Sequence, residues 1–234
     1  MERVSEKVKL DLARMTLRQV NDFLHHQMPA GPVSAISIIN PNGMHNIAVG
    51  VDAKVDIEIL GHVGYYAAGM NKQANITICG NAGKSVAENI MSGIVRVKGN
   101  ASQCVAASGH GGLVVIEGDA SSRCGISMKG CNIVVGGSVG HASGFMAQLG
   151  HMVVCGNAGA GLGDSLYEAV IYVRGDIAGL GADARFEKMS MEDVNKVAEL
   201  LAKAALEYDP RQFKRVASGR TLYHWNKSKS RQYG

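Results

Sequence analysis

The sequence predicts a mainly β protein, a right-handed parallel β-helix of seven coils with 19 residues in each coil. Three observations support this prediction: a glycine recurs at a fixed interval, two apolar columns precede it, and small residues dominate the columns that follow it. Glycine is abundant, at 30 of 234 residues, while hydrophobic residues reach 46%. A chain this apolar is not expected to be disordered, so its glycines need a repeated structural reason.

The recurring glycine closes a short apolar run in every repeat. The interval is 19 residues through seven repeats, without insertion or deletion. These glycines are Gly61, Gly80, Gly99, Gly118, Gly137, Gly156 and Gly175. A fixed interval is typical of a solenoid, whose repeats stack on their neighbours. Helical repeats and propeller blades need longer periods, and the regularly placed leucines of leucine-rich repeats are absent.

Each repeat contains one short predicted strand. The positions four and two residues before the glycine are apolar, as in Ile57 and Ile59, and the residue between them points outward. Asn, Asp, Ser or His follows the glycine, and we expect this corner residue to tolerate a left-handed backbone and to bond its own main chain. Later columns hold small residues such as Ala68 and Ala87, which suit a narrow interior.

The segments that flank the repeats are predicted to cap the open ends of the solenoid. Residues 1–46 form the N-terminal cap, with strands over 8–12 and 33–39. Between them, Thr16 and Gln19 form a capping box that opens a helix ending near Gln27.

The β-helix itself is expected over residues 47–184, beginning with a candidate strand at 47–51. Residues 185–234 are predicted to form a C-terminal helix and an extended polar tail. The helix is capped at Ser190, covers about 191–207 and carries one apolar face.

The outward-facing columns predict no catalytic, cofactor-binding or metal site in this chain. Enzymatic β-helices that cleave polysaccharides need two acids close in space. The outer strand column contains Glu58, Thr77 and Arg96 and then becomes apolar, so it offers no ladder of carboxylates. The five cysteines and eight histidines lack the spacing of a zinc site.

The apolar part of that outer column predicts a contact with another protein. Val115, Val134 and Val153 occupy it in three successive repeats, and an exposed contiguous apolar surface marks a partner site. Tyr223 and Trp225 in the polar tail are predicted as further anchors on a partner.

The charge and composition of the chain indicate which kind of partner it binds and in which cell compartment it is expected. The net charge is +4, and its basic excess lies near the C-terminus. We interpret this segment as a solvated tail or a rim against an acidic partner subunit rather than a nucleic-acid site. No apolar run reaches the 18 residues of a membrane span, and no signal peptide is visible, so a cytoplasmic location with reduced thiols is expected.

Two glycine-rich strings carry a resemblance to a known family. The sequence Gly-Asn-Ala-Gly occurs at 80–83 and 156–159, and Gly159, Gly161 and Gly163 form a GXGXG string. Together with the 19-residue register over residues 10–184, they resemble the GXGXG domain of glutamate synthase. A glycine-rich string can also cradle phosphate or flavin where it opens a helix, but here another β-coil follows, so corner packing is expected.

A narrower resemblance is to the stand-alone β-helix subunit of methylamine–glutamate N-methyltransferase (N-methylglutamate synthase). The residues that carry it are 163–169, 171–175, 180–183 and 222–224. The resemblance implies a structural, non-catalytic subunit in a hetero-oligomer that also contains an amidotransferase-like subunit and an FMN-binding synthase subunit. FMN would then belong to a partner. The complex would convert methylamine and L-glutamate to N-methyl-L-glutamate and ammonia.

Three alternatives remain open at this point. The first is the β-helix subunit of an NADPH-dependent glutamate synthase whose large subunit is divided into separate chains. Formylmethanofuran dehydrogenase also includes a subunit with a related β-helix. A carbohydrate-active β-helix is the third alternative, from a different functional class.

Overall fold

The computed structural model describes residues 6–28 and 33–220, and its architecture is a parallel β-solenoid of about seven turns with two short helices. This confirms the predicted fold class. One 11-stranded sheet runs along the solenoid in the order β1-β2-β3-β4-β5-β6-β7-β8-β9-β11-β10. The strands are β1 (Glu6–Asp11), β2 (Val33–Ile39), β3 (Asp56–Leu60), β4 (Asn75–Ile78), β5 (Ile94–Val97), β6 (Leu113–Ile116), β7 (Lys129–Val135), β8 (Leu149–Val154), β9 (Val170–Val173), β10 (Ala184–Glu187) and β11 (Lys214–Ser218).

The 19-residue interval is the register of the sheet. Ile57 pairs with Ile76 in the next coil, and Ile76 pairs with Val95. The same column continues through β9, and its side chains are at most 2% exposed. Full burial of such a side chain is worth about 1.5–3 kcal/mol, so the stacked aliphatic columns are the main source of stability.

The corner residues that follow the recurring glycines form a hydrogen-bonded ladder, which we call the corner ladder. The side chain of Asn81 accepts the backbone N–H of Asn100 at 2.9 Å, and Asn100 accepts that of Asp119 at 2.8 Å. The ladder contains His62, Asn81, Asn100, Asp119, Ser138, Asn157 and Asp176. The expected left-handed backbone is wrong, since none of these residues has a positive φ. They bond the next coil rather than their own main chain.

From Gly80 onward, the recurring glycines are required by this ladder, whereas Gly61 lies against Pro41. A Cβ added to Gly118 would overlap the side-chain oxygen of Asn100 and would lie 3.0 Å from the carbonyl oxygen of Gly99. Gly99 and Gly137 face equivalent ladder oxygens. Glycine is therefore retained for close approach between coils.

A second side of every coil has a backbone that the sequence did not predict. Three alternate residues have positive φ in each of seven coils, and we call this surface the left-handed wall. Its members are Asn46, Ala48 and Gly50; Tyr66, Ala68 and Met70; Ser85, Ala87 and Asn89; Cys104, Ala106 and Ser108; Arg123, Gly125 and Ser127; Ala142, Gly144 and Met146; and Gly161, Gly163 and Ser165. The middle member is always a buried alanine or glycine.

Hydrogen bonds between coils hold this wall in place. Tyr66 and Met70 donate their N–H groups to carbonyls of the following coil, while Ala68 donates to Ile47 of the preceding coil. The same alternation recurs in the coils that follow. A left-handed residue with a Cβ costs about 1–2 kcal/mol. The inter-coil bonds and the buried middle column offset that cost.

The N-terminal segment extends the sheet and covers the first coil. β1 and β2 pair in parallel with each other, and β2 pairs in parallel with β3. Helix α1 (Leu17–Asp22) begins at the predicted Thr16–Gln19 capping box and continues as a π-helical turn (Phe23–Gln27). The strand predicted at 47–51 is wrong, because this segment forms the first turn of the left-handed wall.

The C-terminal segment folds back on the solenoid. Helix α2 (Met191–Ala204) begins at the predicted Ser190 cap, with Asp193 completing a capping box. It ends before 207 because Ala205 adopts a left-handed conformation at φ 54°. After a 3-10 turn (Pro210–Gln212), β11 runs antiparallel between β9 and β10 and ends the parallel stacking of the sheet.

The close approach at the corners predicts a position-dependent cost of adding a methyl group. Gly118→Ala should lower the free energy of unfolding by about 1–3 kcal/mol because the coils must separate to admit the methyl group. Gly179→Ala is the control, since the nearest atom to its added Cβ lies 3.9 Å away. Urea denaturation measures both variants. Equal stabilities would contradict the role assigned to the corner glycines.

Candidate interaction surfaces

The apolar outer column at Val115, Val134 and Val153 is an internal contact. All three side chains are fully buried because α2 packs across this part of the sheet. The partner contact predicted at these valines is wrong: the chain's own helix occupies the surface. The buried residues of α2 are Val197, Leu200, Leu201 and Ala204, one stripe at helical spacing.

A polar cluster fixes the N-terminal end of α2 on the sheet. Asp193 accepts hydrogen bonds from the hydroxyl of Tyr172 at 2.7 Å and from Nε of Arg215 at 3.0 Å. It also accepts the N–H and the hydroxyl of Ser190. Burial would raise the pKa of Asp193, but these hydrogen bonds outweigh it and lower that pKa. Burial and the bond to Asp193 raise the pKa of Tyr172.

Arg96 fixes the other end of the helix. Its guanidinium donates to the carbonyl oxygen of Ala204 at 3.0 Å and to that of Lys203 at 3.4 Å. It also pairs with Glu117 at 3.0 Å. A cation at a helix C-terminus satisfies the last carbonyls and complements the helix dipole. The outward column therefore changes from polar to apolar where α2 begins to cover the sheet.

The left-handed wall and the residues next to it in sequence carry most of the exposed large apolar side chains of the described residues. Seven of ten lie in the wall or within three residues of it: Tyr65, Tyr66, Met70, Met91, Met146, Leu149 and Tyr167. The other three are Leu60, Phe186 and Met191. Apolar surface concentrated on one side is the usual mark of a protein contact. This wall replaces the valine column as the candidate interaction surface.

The outer face of β1–β4 lies beyond the reach of α2 and is polar. A shallow groove of about 260 Å³ is lined by Lys7, Ala35, Ile36, Ser37, Asp56, Ile57, Glu58, Asn75 and Thr77. Asn75 donates to Asp56 at 2.9 Å, and the thiol of Cys79 lies 3.4 Å from Glu58. Both charge signs occur in this groove, and Ala35, Ile36 and Ile57 also line it, so it can offer hydrogen bonds as well as apolar contact.

The GXGXG glycines occupy two different environments. Gly161 and Gly163 are left-handed residues of the wall, with φ of 73° and 67°. Gly159 lies against Gly140 and His141, where an added Cβ would approach to 2.8 Å. The next regular element is strand β9. These contacts agree with packing between coils. Tyr223 and Trp225 lie outside the described residues.

The reactive side chains are dispersed in the described part of the chain. Residues 6–28 and 33–220 contain no group of three or more His, Cys, Asp or Glu residues arranged to hold a metal ion. Burial raises the pKa of Cys131 and of Cys155 to about 12, so these thiols stay protonated. Across the same ranges, no helix combines the length and hydropathy that a bilayer span requires.

The histidine beneath α2 predicts a pH-dependent stability. Burial, reinforced by the nearby charge of Lys196, lowers the pKa of His151. As pH falls below about 6.5, the usual histidine pKa, the unfolded chain binds a proton that folded His151 resists, so stability falls. Below about pH 4, protonation of Asp193 removes further stability because its folded pKa is also lowered.

Thermal unfolding between pH 8 and pH 5 measures this effect. His151→Gln should flatten the loss of melting temperature below about pH 6.5. His110→Gln, at an exposed position of the same solenoid, is the control and should keep the wild-type slope. An unchanged slope in His151→Gln would exclude this histidine as the cause.

The comparisons with known proteins find a relative that matches this chain over nearly its whole length. No protein-family model matches the sequence. The chain is 50% identical over 218 residues to Protein GlxC of Rhizobium meliloti (strain 1021). The match covers 93% of this chain and 96% of that protein, so it includes β2, the repeats and α2. Identity of this level over nearly the whole length establishes that the chain belongs to the GlxC family.

Proposed function

We propose that this chain is a structural, non-catalytic subunit of a glutamate synthase-like complex, most specifically N-methylglutamate synthase. Its role is to hold an amidotransferase-like subunit and an FMN-binding synthase subunit in fixed relative positions. The complex exchanges the amino groups of methylamine and L-glutamate, forming N-methyl-L-glutamate and releasing ammonia. FMN and the reacting groups belong to the partner subunits in this proposal.

The observation that carries the proposal is the set of exposed Tyr, Met and Leu side chains in the left-handed wall and next to it in sequence. A solenoid that needs apolar surface only for its own stability buries it, as this chain does under α2. The wall and the residues next to it instead present large apolar side chains to solvent over several coils. Such a surface suits a permanent subunit contact, because obligate interfaces are more apolar than transient ones.

The rigidity of the solenoid supports the same role. Successive coils are bonded to each other by the sheet, the corner ladder and the left-handed wall. A subunit bound at one coil is therefore held at a fixed distance from a subunit bound several coils away. The resemblance of the GXGXG register to glutamate synthase supplies the identity of the complex, and GlxC is matched over 96% of its own length.

Copurification and turnover test this proposal together. Affinity purification of the tagged chain from its native host should recover two further subunits, one of them containing FMN. The recovered complex should form N-methyl-L-glutamate from methylamine and L-glutamate. Product formation by the purified chain alone, or by the partner subunits without it, would overturn the structural role.

The second candidate function is that of a subunit of a split NADPH-dependent glutamate synthase. The substrates that turnover requires distinguish it from N-methylglutamate synthase. The split synthase would consume 2-oxoglutarate, glutamine and NADPH and would not require methylamine. The same resemblance to the GXGXG domain favours it, so the two assays should be run on the same preparation. Turnover that depends on NADPH instead of methylamine would replace the first assignment with the second.

Charged substitutions in the wall and next to it should release the partners without unfolding the chain. Met146→Asp and Tyr167→Asp place a charge in the proposed interface, and both side chains are at least 40% exposed. Each substitution should weaken copurification of at least one partner. Ser102→Asp, at an exposed site between the corner ladder and the wall, is the matched control and should retain both. Retention of both partners by the wall variants would place the interface elsewhere.

A further inference from the structure

The sheet of the solenoid ends at its C-terminal side in a strand with an open edge. Strand β10 is the last strand in the order of the sheet, and it pairs with β11 along one side. No other described strand pairs with β10. An edge strand presents a row of main-chain N–H and C=O groups with which a strand of another chain can pair.

The hydrogen bonds between β10 and β11 identify the residues that face the open edge. Gly219 donates its N–H to the carbonyl of Asp183, so these residues form a hydrogen-bonded pair that continues the register of the two strands. Hydrogen-bonded and non-hydrogen-bonded pairs alternate along antiparallel strands. The next hydrogen-bonded pairs with β11 therefore involve Arg185 and Glu187. The N–H and C=O groups of Phe186 point to the open edge.

Phe186 also continues the inward column of the sheet beyond the last coil. It pairs with Val216 of β11, which pairs with Ile171 of β9, and both of these partners are fully buried. Phe186 itself is 57% exposed. Ile177 and Leu180 of the last coil pack against the same core and are only partly buried. Apolar core surface is therefore open to solvent at this end of the solenoid.

The charges of β10 are complementary to those of a second copy of the same strand. Arg185 and Glu187 flank Phe186 on the outer face, and their side chains form an ion pair at 2.7 Å. In an antiparallel pairing with Phe186 opposite its own copy, Arg185 of each chain lies opposite Glu187 of the other. Opposite charges that face each other across two strands stabilise the pairing.

The other edge of the sheet has a charge pattern that opposes such a pairing. Lys7 and Lys9 flank Val8 on β1, and both lysines are exposed. Two β1 strands in the equivalent arrangement would place lysine opposite lysine, and like charges directly opposite each other are destabilising. Helix α1 also covers this end, where Asn21 donates to the carbonyl of Asn46 at 2.9 Å. Of the two edges of the described sheet, only β10 is suited to pairing with itself.

We propose that two copies of this chain pair end to end through β10, with a two-fold axis at Phe186. The N–H of each Phe186 donates to the C=O of the other, and the N–H of Lys188 donates to the C=O of Ala184 in the second copy. Because the axis is perpendicular to the sheet, the interiors of both solenoids lie on the same side, and the two Phe186 rings meet over the open core. The contact uses the same patch on both chains, as a two-fold interface requires.

The pairing joins the two solenoids into one continuous sheet. It uses no residue of the left-handed wall, which stays available to other subunits. The inference does not rest on the proposed function, because it concerns the isolated chain.

Analytical ultracentrifugation of the isolated full chain tests the pairing. At about 100 μM, well above the micromolar dissociation constants of weak specific interfaces, the mass should be that of two chains. Phe186→Asp places two like charges at the axis and should shift the chain to the monomer. Leu60→Asp, at a site on β3 that is 45% exposed, and Met146→Asp in the wall are controls that should stay dimeric. A monomeric wild-type chain, a dimer that persists in Phe186→Asp, or its loss in either control would overturn the proposal.

A disulfide at the axis locates the contact without placing a charge in it. Residues of a hydrogen-bonded antiparallel pair have Cα atoms about 5.5 Å apart, within the range of disulfide geometry. Mild oxidation should therefore join Phe186→Cys chains into covalent dimers, whereas the wild-type chain and Leu60→Cys should stay uncrosslinked on a non-reducing gel.

Charge reversal tests the register of the two strands. Arg185→Glu places a carboxylate opposite Glu187 of the second copy and should raise the dissociation constant of the dimer several-fold at low salt. Arg18→Glu, the same change at an exposed position of α1, is the matched control. Absence of the covalent dimer in Phe186→Cys, with an unaltered dissociation constant in Arg185→Glu, would place any self-association elsewhere and contradict the proposal.

Discussion

Hydrogen bonding between successive coils is the constraint on which the rest of this structure depends. A 19-residue coil has too few residues to build a core of its own, so its polar backbone and its aliphatic column must both be satisfied by neighbours. The sheet supplies hydrogen bonds between coils along one side, the corner ladder supplies them at the edge, and the left-handed wall supplies them along another side. From the second turn of the wall onward, all three repeat every 19 residues, so one inserted residue would disturb all of them at once. The unbroken register of the sequence follows from this requirement.

The sequence predicted the parts of the fold that depend on side-chain periodicity. The apolar columns placed every strand of the repeat, and the capping boxes at Thr16 and Ser190 placed the starts of both helices. It did not predict the left-handed wall, because alanine, serine and methionine at these positions carry no local signal for positive φ. Their conformation is imposed by neighbouring coils. The one feature of the sequence that reflects the wall is the column of alanine and glycine at its centre. Burial and positive φ together explain why these positions hold small residues.

The candidate site was predicted less well than the fold. Val115, Val134 and Val153 were correctly placed on the outer face of the sheet, but the inference that a partner covers them failed. The apolar stripe predicted on α2 also required a surface to pack against. The valine column and this stripe belong to the same chain and bury each other. Residues far apart in sequence meet here because β11 and the cluster around Asp193 return the chain to β9. The wall could not be predicted as a surface because it is defined by its backbone conformation, which the sequence does not indicate.

Removing one rung of the corner ladder tests the central claim most directly. Asn100→Ala deletes the acceptor of the Asp119 N–H, with Ser102→Ala as a control at an exposed position of the same coil. Hydrogen exchange at the amide of Asp119 should accelerate in Asn100→Ala, and the free energy of unfolding should fall by about 1 kcal/mol. Exchange at Asp119 equal to that of the control, with unaltered stability, would show that the corner side chains do not hold the coils in register.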